Sequence, residues 1–262
     1  MLDALTALAG SLAALSGFAD VVCLVRFRAF AALQTGNIVH IGTSLAIYNG
    51  DLSELMRALA FSAAVLASHF GAVFAFCMLV DHTARPVVVA APLVGLLSAL
   101  GGLIDGFLAD GWKWAACFVA ASFGAMNFLT SPNTVLDGRL STMVTLATGN
   151  LQKCAKMLYK AIAHGLDEQE GQATCVAGAV VLGTFAGAAV GGVALACAST
   201  HIAFALVPVG IGQCLLLWIH DRLLRPIQNT ALLEPLPLGS AQSGYVSLSG
   251  RLIRTVGAAS PV

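Results

Sequence analysis

The sequence predicts an all-α fold, a polytopic transmembrane bundle of six to eight helices built from two internal repeats. Three observations predict it. Of 262 residues, 58% are hydrophobic and 10% are charged, against roughly 25% charged in a soluble domain. Mean hydropathy is +0.87, and the apolar residues fall in long runs suited to a lipid solvent. Short polar motifs also recur in the same order in the two halves of the chain. Backbone groups in lipid must be satisfied within the segment, which leaves helices or a closed barrel. The runs are Ala, Leu, Val and Gly without polar alternation, so helices are expected rather than a barrel.

Eight apolar segments follow in order, near residues 4 to 25, 33 to 48, 57 to 80, 87 to 108, 112 to 130, 141 to 163, 172 to 197 and 201 to 220. The first opens on Met1-Leu2-Asp3 without the basic start of a secretory signal, and reads as a retained helix. The second is short and follows Gln34-Thr35-Gly36-Asn37. The sixth turns amphipathic after Gly149, with Lys153, Lys156 and Lys160 at helical spacing. Either is expected to be a short, tilted or re-entrant helix. Residues 1 to 225 therefore form one transmembrane domain. After Arg225-Pro226 the chain becomes rich in Pro, Ser and Gly, and residues 226 to 262 read as a disordered cytoplasmic tail.

Repeat one covers about 1 to 108 and repeat two about 113 to 224. Thr35-Gly36-Asn37 recurs as Thr148-Gly149-Asn150, and Arg26 matches Arg139 at the same offset. Gly17 and Asp20 match Gly124 and Asn127. Ala67, Gly71 and Ala75 match Gly183, Gly187 and Gly191, Pro92 matches Pro208, and Asp105 matches Asp221. Residues four apart share a helix face, and small residues let helices approach in lipid. The two small-residue rows are expected to make the third and seventh segments equivalent packing elements, facing one another across a pseudo-two-fold axis. A homodimer interface is the other use of the same row.

Counting Lys and Arg near the segment ends places both termini in the cytoplasm, whether eight segments cross or six. The expected location is the plasma membrane. The number of crossings decides whether the repeats are parallel or inverted.

Zero net charge gives no nucleic-acid surface. The cysteines lie far apart with no metal-site spacing, so neither a metal nor a cofactor is expected. No Walker loop, H-E-x-x-H, G-x-S-x-G or dinucleotide fingerprint is present, which leaves hydrolytic, ATP-driven and redox chemistry without a sequence basis. An enzyme is not expected.

The pattern Ser16-Gly17-Phe18-Ala19-Asp20, then Gln34-Thr35-Gly36-Asn37, then Gly124-Ala125-Met126-Asn127 and Ala147-Thr148-Gly149-Asn150 resembles the YoaK family of polytopic membrane proteins of unknown function, over residues 10 to 220. The resemblance implies a membrane protein of about six spans and brings no established substrate, cofactor or catalytic residue. The second half departs from the first in having Asn127 where Asp20 stands, and in its longer connection through Ser131-Pro132-Asn133.

An ionisable residue inside a span marks a site or a satisfied buried group, which makes Asp20 the first candidate. Arg26 pairs with it if the helix unwinds near Cys23. In each Thr-Gly-Asn step Gly permits a break, Thr is suited to capping and Asn offers donors and acceptors, so each step is expected to open a helix. His69 and His201 have no partner visible in sequence. The tentative substrate-binding set is Asp20, Arg26, Thr35, Gly36, Asn37, Asn127, Arg139, Thr148, Gly149 and Asn150. The expected activity is secondary transport of a small solute across the lipid bilayer. The alternative is a non-transporting membrane scaffold acting through helix contacts.

Overall fold

The computed structural model describes residues 2–48, 50–83, 85–108, 112–130, 147–197 and 202–224. Arg139, the connection Ser131-Pro132-Asn133, His201 and the segment 226–262 lie outside the described residues. Among those described there are helices and no strands: α1 Leu2–Phe27, α2 Gln34–Ala46, α3 Leu52–His82, α4 Pro86–Phe107, α5 Ala115–Thr130, α6 Ala147–Ala163, α7 Glu168–Cys197 and α8 Leu206–Ile219. A short 3-10 turn, Ile202–Phe204, precedes α8, and a π turn, His220–Leu224, follows it.

Helix starts are set by side-chain caps where water reaches them. The Asp51 carboxylate accepts from the Ser53 and Glu54 amides, so α3 begins five residues before its apolar run. The Ser53 hydroxyl, and next the Glu54 amide, hold that carboxyl below its ordinary value of 3.8. Before α7 a reciprocal box forms: Glu170 N donates to Asp167 Oδ1 at 2.7 Å, and Asp167 N donates to Glu170 Oε2 at 3.4 Å. Polar residues that looked like flanks are thus the first turns of helices.

α1, α3, α4 and α7 are long and apolar enough to cross a bilayer, and α5 is a shorter apolar helix. α2 has 13 residues, about 20 Å at 1.5 Å per residue, against a hydrocarbon core of about 30 Å. It is too short to cross by itself.

The principal pairings are α1 on α7, α3 on α5 and α4 on α8, with smaller ones of α4 on α5, α1 on α8, α2 on α3 and α6 on α7. Adding or subtracting four from each label reproduces the same set. α1 on α7 becomes α5 on α3, α2 on α3 becomes α6 on α7, α4 on α5 becomes α8 on α1, and α4 on α8 maps onto itself.

The small-residue row of α7 does not face α3 as expected. A Cβ on Gly183 would strike the Gly10 carbonyl, one on Gly187 the Ala14 carbonyl, and one on Gly17 the Thr184 carbonyl. The reason is that α1 carries its own small residues at Gly10, Ala14 and Gly17, so the two backbones meet there. Ala67, Gly71 and Ala75 lie on the exposed face of α3, where a Cβ on Gly71 would meet nothing. α3 instead meets α5 through the His69 carbonyl, packed on Gly124. α4 and α8 cross at Gly95 and Gly210, each set against the other's carbonyl.

Candidate functional site

α1 ends in a turn that costs backbone strain. Arg28 has φ 59, a left-handed conformation that disfavours any residue with a Cβ, and its amide still bonds the Leu24 carbonyl at 3.1 Å. The chain then doubles back: Ala29, Ala31 and Ala32 are buried, so their backbone groups need partners inside the protein. Asp20 supplies one of them, its Oδ1 accepting from Ala32 N at 2.8 Å. Asp20 stands seven residues before the end of α1, so α2 starts about 10 Å back from that end. The α1–α2 connection therefore folds back along α1 into the protein.

Asn37 fastens the same loop from the other side. Its Oδ1 accepts from Phe30 N at 2.9 Å, and its Nδ2 donates to Phe30 O at 2.8 Å and to Gln34 Oε1 at 2.9 Å. Gly36 lies against the Phe30 ring, where a Cβ would overlap the ring carbons. Thr35 plays no capping part: the N-cap position of α2 is Leu33, with no side-chain cap bond. The Asp20 carboxylate instead holds the chain just ahead of that cap, at the Ala32 amide, while the first residues of α2 are half-buried or exposed.

The network continues into the other half. Gln34 Nε2 donates to Ala31 O at 2.8 Å and lies 3.2 Å from His69 Nδ1, and the His69 backbone packs on Gly124 of α5. With Gln34 donating, Nδ1 accepts and the proton sits on Nε2. His69 thus ties α2 to α5. The residue type alone gives no sign of this, but Gln34, lying beside the Thr-Gly-Asn step, was a usable pointer.

Arg26 does not pair with Asp20, because α1 stays helical through Phe27. It reaches α4 instead, with Nε 3.1 Å from Asp105 Oδ2 and Nη2 2.8 Å from Oδ1. Asn127 lies on α5, and Asn150 is buried in the first turn of α6. Both are engaged in interactions of their own. Thr148 and Gly149 are exposed, and a Cβ on Gly149 would meet nothing, unlike one on Gly36.

A second polar cluster was not anticipated. Ser98, Ser122 and Gln213 are fully buried where α4, α5 and α8 meet. The two hydroxyls lie 2.8 Å apart, Gln213 Oε1 is 2.8 Å from Ser98 and 3.1 Å from Ser122, and Ser122 reaches the Val94 carbonyl at 2.8 Å. Polar bonds of this kind hold helices together where hydrophobic burial gives no preference.

No curated protein and no solved structure matches this chain. A family described as "Protein of unknown function (DUF1275)" matches residues 8–218. That stretch runs from the second turn of α1 to the penultimate residue of α8 and includes the α1–α2 loop with its Asp20 and Asn37 clamps. The chain belongs to this family of unknown function.

Proposed function

We propose that this protein is a secondary carrier for a small solute, working by movement between two halves that arose by duplication. The packing scheme carries the reading: each principal pairing survives exchange of the first four helices for the last four, the arrangement that lets one half rock against the other around a shared site. The folded-back connection into α2 supports it, since broken helices present free backbone dipoles to a solute or ion. In this reading Asp20 and Asn37 hold the broken helix in place, and Asn127, Thr148, Gly149 and Asn150 form its second-half counterpart. Six helices cross, α2 and α6 do not, and the three-span halves are inverted with both termini cytoplasmic. In this reading the chain is a YoaK-like member of its family, on the Gln34-Thr35-Gly36-Asn37 and Ala147-Thr148-Gly149-Asn150 motifs.

The scaffold reading is weaker because its surface is taken. The Gly183, Gly187 and Gly191 row meant for a partner helix is covered by α1. The deciding experiment is a thermal-stability screen of the purified protein against amino acids, sugars, organic acids and inorganic ions. A ligand at a hundred times its Kd adds about 2.7 kcal/mol, so a carrier's solute raises the melting temperature by several degrees, and Asn150→Ala removes that rise. A flat screen, together with the absence of uptake into proteoliposomes under proton and sodium gradients, overturns the proposal.

A further inference from the structure

We propose that α6 is an interfacial helix that lies along one face of the bilayer and binds anionic phospholipid headgroups through Lys153 and Lys156. Of its 17 residues only Asn150 is buried. At 100° per residue, Leu151, Ala155, Leu158 and Ile162 share one stripe, and three of them are large and exposed: Leu151 57%, Leu158 63% and Ile162 80%. Lys153, Lys156 and Lys160 fall on another stripe, roughly opposite. A helix with an apolar stripe turned away from the protein and cations opposite fits a boundary between acyl chains and headgroups.

The position of α6 fits the same boundary. It packs on α7, a candidate span, and Lys160 forms an ion pair with Glu170 in the first turn of that span. Gly165, at φ 80, makes the sharp turn between the two helices. The end of α6 is thereby held where α7 starts, beside the acidic residues Asp167, Glu168 and Glu170. Crossing is disfavoured by composition, since each lysine at the bilayer centre lowers insertion roughly a hundredfold. The headgroup phosphates of an anionic leaflet are the complementary charge, worth roughly fivefold in affinity per lysine near the surface.

The test is hydrogen–deuterium exchange of the full chain in nanodiscs of phosphatidylcholine alone and of phosphatidylcholine with phosphatidylglycerol. Exchange across 147–163 is expected to slow roughly tenfold in the anionic discs. The gain should shrink at high salt and disappear in Lys153→Gln/Lys156→Gln, with α1 and α7 unchanged as a control for folding. Lys160 is left in place so that the tie to α7 survives. Equal exchange in the two lipids overturns the proposal. So does full protection in both lipids and in the variant, which marks a crossing helix, and so does protection of the detergent-solubilised chain by soluble polyphosphate or an oligonucleotide, which marks a soluble partner.

Discussion

The guanidinium of Arg26 grips the carboxylate of Asp105 through two of its nitrogens, at 3.1 and 2.8 Å, with the Asp105 side chain fully buried and that of Arg26 26% exposed. The pair is unequal in its access to water, so its two ends should respond differently to mutation. Arg26→Gln strands a buried carboxylate and should cost about 3–5 kcal/mol. Asp105→Asn leaves a guanidinium that can turn toward solvent or headgroups, and should cost about 1.5–3 kcal/mol. Unfolding of both variants in detergent measures the order, and equal losses would contradict it.

The Asn37 clamp gives a second graded series. Asn37→Ala deprives both the amide and the carbonyl of Phe30 of their partner and should cost about 2–4 kcal/mol, whereas Asn37→Asp still accepts from Phe30 N and should cost less. Protease access at Phe30 reads the release of the loop directly. If Asn37→Ala leaves this site protected, the clamp is not what holds it.

Glycines that look alike in sequence should behave in opposite ways. Gly187→Ala forces a methyl group into the Ala14 carbonyl and should separate α1 from α7, lowering the melting temperature by several degrees. Gly71→Ala meets open space and removes a flexible residue from a helix, so it should be neutral or stabilising by up to about 1 kcal/mol. Arg28→Gly should also stabilise, by about 1 kcal/mol, because φ 59 costs glycine nothing.

Asp51 makes the start of α3 sensitive to acid. Its folded pKa lies below the ordinary 3.8, so its contribution is complete above about 4 and fades as pH falls through the lowered value. Asn caps as well as Asp, so Asp51→Asn should keep the first turn of α3 while removing its pH dependence. Amide exchange at Ser53 and Glu54 between pH 5 and 3 (about the carboxylate range) reports it.

The helical class and the approximate position of every helix were legible because apolar run length is fixed by bilayer thickness, which acts on sequence one segment at a time. Which helix faces which was less legible. The Gly183 row showed that α7 packs closely on something, but Gly10, Ala14 and Gly17 carry no larger signal than the exposed Ala67, Gly71 and Ala75. Only three-dimensional pairing distinguishes them. Asp20 and Asn37 stood out as costly groups in an apolar chain. Their shared target, the backbone of residues 30 to 32, did not, because backbone donors are the same in every sequence. The Ser98, Ser122 and Gln213 cluster was hidden for a related reason: its members are 24 to 115 residues apart and individually unremarkable.

The long seam between α1 and α7 also governs how the protein is made. The first helix leaves the ribosome with its glycine-lined face already formed, but its partner begins at Glu168, more than half a chain later. Until then that face has only lipid or the insertion machinery against it, and α3 can pair with α5 well before α1 finds α7. Assembly therefore closes late and from the ends inward, with the N-terminal helix among the last to lock. A nascent chain stopped before residue 168 should have a loose first helix, whereas separately synthesised halves should still meet, since each carries the surface that the other lacks.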